Sequence, residues 1–535
     1  MDNYLLFEDF FEEYLPKVGN ELFTHIFFQK KSELEDFTLR CGLIPNDKIE
    51  DVLKKYEWDL TYEGGQPDFV TFYNEETDKT ETIYQRYGND DRFEPLLINR
   101  EFSGIVPDIT EISEEFRLFH NLFFDNSTSK YVKFDVDGEP IEIIIQNENE
   151  IKVRTKELKE FLLAKNMALA IYFQIVRFSE YHLAKSDTND YEVFKQESDY
   201  YFHLSLGYNF FNKNGKKTCS NSLLIGKKLI VGFKDLSLYD YINKPEPTEY
   251  EEFIVAQNID GSEIKSTCDP DKISKEYLSP VYFKKEVLKK YYDNTDKYEI
   301  SDNYLSCYGL WGMQFDNNHA EYTITALGDL GHDLSIKEQK HWRSYNIPPV
   351  GEYSETTYKR WIKGEFIDSD RDDTIFKSKY REFQDKWFKK NKWYLFLPLN
   401  EGDEYHLKAL RIPLTNNQKE FDNLVLSIVK IIIDSINEGK LNKFVTLSDD
   451  KKGSITKLEK YFQYLGFSDF EIHIKFLRNL QELRSSAVAH RKGSDFTKIS
   501  KVFQIGSVSN ICVFEKIMKS VNDFFDYLLK ISSSE

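Results

Sequence analysis

The chain has 535 residues, 40% of them hydrophobic and 16% aromatic, with 43 Phe and 34 Tyr. That length exceeds what one hydrophobic core accommodates and points to two or three domains, while the apolar content excludes wholesale disorder. A net charge of −20 argues against a nucleic-acid partner for the chain taken as a whole.

Residues 1–105 read as an α+β region. Phe7–Tyr14 and Asp47–Tyr56 have helical character, and Asp59–Tyr62, Phe69–Tyr73 and Thr82–Arg86 alternate as short strands. Residues 106–412 read as an α+β middle domain, a candidate sensor or regulatory region. Two Asp-Gly dipeptides, Asp137-Gly138 and Asp260-Gly261, separate strand-like runs and predict hairpins. Tyr201–Gly207, Ser222–Leu224, Leu229–Phe233 and Tyr322–Leu327 are further expected strands. A long helix is expected over Lys156–Lys185, where Leu158, Phe161, Leu162, Ala168, Ile171, Ile175 and Phe178 recur at roughly helical spacing, and another over Thr374–Lys389. Leu407–Ile412 looks strand-like. Pro413, followed by Leu414-Thr415-Asn416, ends it and opens the last domain, residues 413–535.

After Asn416 the strand signals stop. Phe421, Leu424, Val425, Ile428, Val429, Ile432 and Ile436 form a helical stripe ended by Asn437-Glu438-Gly439. A helix from Ile455 ends at Gly466, and Ser468 is placed to cap the next one, through Phe470, His473, Phe476, Leu477, Leu480 and Leu483. A short helix from Phe496 and a long one over Val508–Ile531 complete an expected bundle of four to five helices. From Arg411 onward 19 Lys and Arg stand against 15 Asp and Glu, so this part carries +4 and the remainder −24. A basic module on an acidic body restores the prospect of a polyanionic partner.

Five cysteines (Cys41, Cys219, Cys268, Cys307, Cys512) lie far apart without CxxC or zinc spacing, as in a reducing cytosol. Residues Met1–Tyr14 are acidic and lack the basic start of a signal peptide, and Leu424–Ile436 is too short and too charged to span a bilayer. A cytoplasmic protein with no membrane partner and no cofactor is expected. The Asp368–Asp373 run lacks the Gly and Glu of a calcium loop, and Asn214–Thr218 lacks the first Gly of a phosphate loop and reads as a turn. His332 and His341, near Asp329 and Glu338, lack a helix-compatible metal spacing.

One segment carries chemistry. Phe476-Leu-Arg478-Asn-Leu-Gln-Glu-Leu-Arg484-Ser485-Ser-Ala-Val-Ala-His490-Arg491-Lys492-Gly493 places Arg and His six positions apart late in a helix, with seven Lys and Arg between Lys475 and Lys501. With 15 Arg and 10 His in the chain, such spacing also arises by chance, and Arg177–His182 is a second instance, with aromatic Phe178 after the arginine; that pair reads as structural. The Arg484–His490 segment, with its polar Ser485 and its helical surroundings, resembles the active-site motif of the HEPN ribonucleases over about the last 120 residues. The resemblance implies an all-α HEPN-like bundle, a homodimer formed through it, and metal-independent endoribonuclease activity on RNA. It also implies the setting of many such proteins, a bacterial toxin or antiphage effector. His490 is then the base or acid and Arg484 the phosphate ligand, with Ser485 orienting them; Arg478, Arg491 and Lys492 are RNA contacts. These side chains suit the task, because imidazole titrates near ~6.5 and guanidinium is a permanent planar donor. Six residues at about 100° leave Arg484 and His490 about 120° apart on a straight helix, so the helix must bend or end between them, or the site must form across a dimer. The rival reading is a non-catalytic dimerisation or RNA-binding bundle whose N-terminal region performs the main task.

Overall fold

The computed structural model describes residues 4–54, 68–85, 93–179, 192–207, 211–213, 216–218, 220–233, 237, 241, 249–319, 321–361, 363–365, 367–445, 453–486 and 494–533. The chain is multidomain and forms two compact units, Met1–Asp135 with Glu139–Glu246, and Val136–Gly138 with Pro247–Glu535. The divisions read from the sequence at 105/106 and 412/413 both fall inside these units. Leu97 and Ile112 share one core in the first unit, and Leu410 and Phe421 share one in the second.

The first unit is built on one large antiparallel sheet. Its strands are β1 (Phe23–Lys31), β2 (Glu35–Pro45), β3 (Phe123–Asp125), β4 (Lys130–Phe134), β5 (Pro140–Gln146), β6 (Glu150–Arg154), β7 (Met167–Ser179), β8 (Glu192–Gln196), β9 (Tyr200–Gly207) and β10 (Ser220–Ile230). They lie in the order β8-β9-β10-β7-β2-β1-β6-β5-β4-β3. Asp68–Asn74 and Lys79–Gln85 form a separate hairpin, and Phe211–Lys213 pairs antiparallel with Lys216–Thr218; Asn214 and Gly215 of the expected turn lie outside the described residues. The expected strand Asp59–Tyr62 lies outside the described residues.

The long helix expected over Lys156–Lys185 is a correction. Helix α1 covers only Thr155–Lys165 and stops at Asn166, whose φ of 54° is left-handed. The chain then enters β7, the sheet's longest strand. Residues Met167–Phe173 are buried in succession because both faces of β7 are covered. Leu169, Ile171 and Phe173 pack toward Leu158 and Phe161 of α1, while Ala168, Ala170 and Tyr172 pack with Ile44 and Val52. A strand buried on both faces loses polar alternation, and a continuous apolar run does not distinguish it from a helix. The Ser222–Leu224 expectation and the first two residues of Leu229–Phe233 fall in the single strand β10, which ends at Ile230.

The second unit is α+β up to about residue 370 and helical beyond. Glu252–Gln257 pairs with Glu263–Thr267 across the expected Asp260-Gly261 turn, where Gly261 takes φ of 85°. Pro280–Lys284 pairs with Tyr322–Ala326 and Asn346–Ile347, and Phe283 meets buried Trp342 edge-on at 4.8 Å. The helical part contains α2 (Asp372–Asn391), α3 (Gln418–Val429), α4 (Ser454–Tyr464), α5 (Glu471–Arg484), α6 (Ser494–Phe503) and α7 (Asn510–Ser533). Helix α2 belongs to it: Phe376, Tyr380 and Phe383 each meet Phe525 of α7 at 5.3–5.8 Å. The expected strand Leu407–Ile412 is a correction: Leu407 and Lys408 belong to a helical turn, Tyr405–Lys408, and Ala409–Ile412 continues without strand pairing. Asn417 caps α3, and the Glu420 carboxylate accepts the Leu414 and Thr415 amides. Gly466 ends α4 with φ of 70°, as its position suggests. Among the described residues no helix is long and apolar enough to cross a membrane.

Candidate functional site

Helix α5 carries Arg484 in its last turn. Its inward face is Ile474, Leu477, Leu480 and Leu483, all buried at spacings of three, and each such leucine contributes about 1.5–3 kcal/mol by leaving water. Glu471 in the first turn and Arg484 in the last complement the helix dipole. Ser468 does not cap this helix. Its hydroxyl donates to the Asp469 carboxylate, Asp469 is left-handed at φ of 65°, and Phe470 occupies the cap position.

Beyond Arg484 the helix widens through Ser485 and Ser486 into a π-type turn. The Ser485 hydroxyl donates to the Gln481 carbonyl at 2.9 Å and that of Ser486 to the Glu482 carbonyl at 2.8 Å, adding to the bond that the Ser485 amide makes to the same two carbonyls. The Arg484 guanidinium is about one-third exposed, and its Nη2 lies 3.5 Å from Oδ2 of Asp434. Asp434 closes a second π-type segment, Lys430–Asp434, that continues α3. Such segments redirect side chains and recur at functional sites. Arg478 points elsewhere, and donates to Glu459 of α4 at 2.6 Å. His490, Arg491 and Lys492 lie outside the described residues, so the helix end is built here from Arg484, Ser485 and Asp434.

The second Arg–His match sits in the first unit, on strand β7 rather than on the helix expected there. Arg177 donates to both carboxylate oxygens of Asp9 at 2.6 and 2.7 Å, to Glu35 at 2.7 Å and to the Tyr4 carbonyl at 2.9 Å. Its guanidinium also lies over the rings of Tyr4 and Phe7. This pairing holds the Asp9 carboxyl below its usual range. His182 lies outside the described residues.

The histidines near Asp329 and Glu338 are turned to separate partners. His332 meets Asp333, whereas His341 bonds the Val287 carbonyl. Glu338 is buried and accepts from Tyr291 Oη at 2.7 Å and from Lys290. Burial pushes the Asp329 carboxyl up to about 6.

The second unit also holds groups that the sequence did not single out. At the start of α2, Arg371 forks onto Asp373 at 2.9 and 2.6 Å, and Asp373 also accepts the Ile412 amide. The guanidinium holds the Asp373 carboxyl far below the usual carboxylate range. One turn further on, Lys377 and Arg381 face a cleft of about 640 Å³, which Tyr298, Tyr308, Tyr380 and Gln384 also line. Cations four apart on an amphipathic helix read as a solvated face, and only folding shows what they face.

No protein-family model matches the chain, and no curated protein or solved structure is significantly similar to it.

Proposed function

We propose that the C-terminal helical region is a HEPN-type endoribonuclease module, acting on RNA without a metal. The carrying observation is the state of Arg484: a guanidinium presented at the end of a bundle helix, its side chain one-third exposed and, among the described residues, held by a single carboxylate at 3.5 Å. A cation so lightly engaged is available to an RNA phosphate, and planar bidentate donation suits that anion. In the proposed reaction His490 takes the proton from the ribose 2′-OH or gives one to the departing 5′-oxygen. The 2′-oxygen attacks phosphorus, the P–O5′ bond breaks, and the products are a 2′,3′-cyclic phosphate and a 5′-OH. Arg484 offsets the charge that builds on the phosphorane. Ser485 donates to its own helix and keeps oxygen lone pairs to accept from a neighbouring donor. Arg478, Arg491 and Lys492 add phosphate contacts, and a homodimer joined through the bundle brings two motifs to one cleft. A toxin or antiphage role in the cytoplasm accompanies this reading through the family resemblance.

A second reading has its own support. Arg484 and Arg478 each have a carboxylate partner, Asp434 and Glu459, as in a non-catalytic bundle that binds RNA or dimerises. Incubating the purified chain and its Arg484→Ala and His490→Ala variants with RNA in EDTA separates the two. Cleavage by the parent alone supports the nuclease, and equal cleavage by all three removes the proposed site. An inactive parent that still binds RNA favours the second reading. Sedimentation of the same samples tests the dimer.

A further inference from the structure

We propose that the cleft between α2 and the Tyr291–Tyr308 segment binds a nucleoside phosphate, with its phosphate on Lys377 and Arg381. The inference stands apart from the nuclease reading, because it uses none of that site's residues.

The cleft measures about 640 Å³, within the range of small-molecule sites. Its charges divide into two sets. Lys408 is already neutralised, by Glu404 at 3.0 Å and Asp296 at 3.7 Å. Lys297 lies over the ring of Tyr298 at 5.3 Å. Among the described residues Lys377 has no carboxylate within ion-pair distance, and its Nζ donates only to the Lys408 carbonyl, at 2.9 Å. Arg381 makes no hydrogen bond or ion pair among the described residues. These two cations stand one turn apart on α2, where like charges repel by a few tenths of a kcal/mol. A bound phosphate would relieve that repulsion and accept from both, since charge-assisted bonds to phosphate are among the stronger ones. Glu299, the remaining acidic group in the lining, lies toward solvent.

The rest of the lining suits a planar base. Tyr308 is 61% exposed and so has a ring surface free to stack, and Pro398, Leu399 and Leu407 supply apolar wall. Gln384 is more than nine-tenths buried, and its Nε2 donates to the Phe396 carbonyl at 2.8 Å. Its Oε1 has no hydrogen-bond partner among the described residues. An unpartnered buried acceptor costs free energy until a donor arrives, and the amino or ring N–H of a base is such a donor.

The test is calorimetric titration of the full chain with AMP, GMP, CMP and UMP, against adenosine, inorganic phosphate and a short single-stranded RNA. Saturable binding of at least one mononucleotide is expected, weakened about tenfold or more by Arg381→Ala, an exposed position whose loss leaves the fold intact. Inorganic phosphate and the nucleoside alone should each bind about tenfold or more weaker than that mononucleotide. Circular dichroism of Lys377→Met and Arg381→Ala keeps folding separate from binding. No binding by any mononucleotide overturns the proposal, as does binding that folded Arg381→Ala retains unchanged. Arg381-dependent binding of the RNA oligomer alone also overturns it, in favour of a polymer site.

Discussion

Arg177 and Arg484 share a sequence pattern, an arginine followed five or six residues later by histidine, and the two units treat them in opposite ways. Arg177 is buried on a central strand, forked onto Asp9, bonded to Glu35 and the Tyr4 carbonyl, and covered by two rings. Arg484 stands at a helix end with one carboxylate at 3.5 Å and a third of its side chain exposed. The lesson concerns availability. A guanidinium whose donors are already taken is part of the architecture, and one whose donors are mostly free can receive a substrate. Spacing identifies neither state.

The contrast can be broken most sharply at Arg177. Its replacement by Ala leaves Asp9 without its cation and Glu35, only 12% exposed, with Lys30 alone, and the loss of these charge-assisted bonds should cost about 3 kcal/mol in urea unfolding of the full chain. A loss below about 1 kcal/mol would mean that Arg177 is as loosely engaged as Arg484. On the proposed nuclease reading, Arg484→Ala and His490→Ala should each lower RNA cleavage about 10²–10³-fold while leaving the unfolding midpoint nearly unmoved. Activity that survives in both variants would place the cation and the acid–base elsewhere.

A smaller effect sharpens the comparison through pH. Burial draws the Lys377 ammonium down to about 8, with Arg371, Arg381 and Arg411 adding repulsion and Asp373 opposing them. A phosphate monoester is already a dianion above pH ~7, so the proton that matters is the lysine's. Only protonated Lys377 attracts it. Mononucleotide affinity should therefore fall by up to about tenfold between pH 7 and 9, and a flat calorimetric profile would exclude Lys377 from the site. The smallest effect is on the stability side of the opening contrast. Arg484→Ala should change the unfolding free energy by less than about 1 kcal/mol, because a pair about one-third exposed and 3.5 Å apart gains little against solvent; a larger loss in urea titration would show Arg484 to be structural.

Local features were legible wherever the residue itself imposes a backbone. Asp137-Gly138 and Asp260-Gly261 turn hairpins, with both glycines at positive φ, and Gly466 ends its helix in the same way. The stripe from Phe421 to Ile432 and the expected Thr374–Lys389 helix are helical because each presents an apolar face to the core, while Ile436 lies past the helix end and bridges to Phe396. Met167–Ile175 misled because burial on both faces of β7 removes the polar alternation that marks a strand. Of the candidate site, the residue types and the helix bearing Arg484 were legible; its engagement with Asp434, fifty positions earlier, was not.

The sequence by itself determined two things here: where the chain turns, and which segments have an apolar helical face. Both depend on neighbours within a few residues. Tertiary structure alone decided which arginine is fully engaged and which, among the described residues, meets one carboxylate at 3.5 Å, and that Lys377 and Arg381 face tyrosines from the Tyr291–Tyr308 segment across a cleft. Those outcomes depend on which distant carboxylates and rings folding brings within reach, and local periodicity carries no record of them.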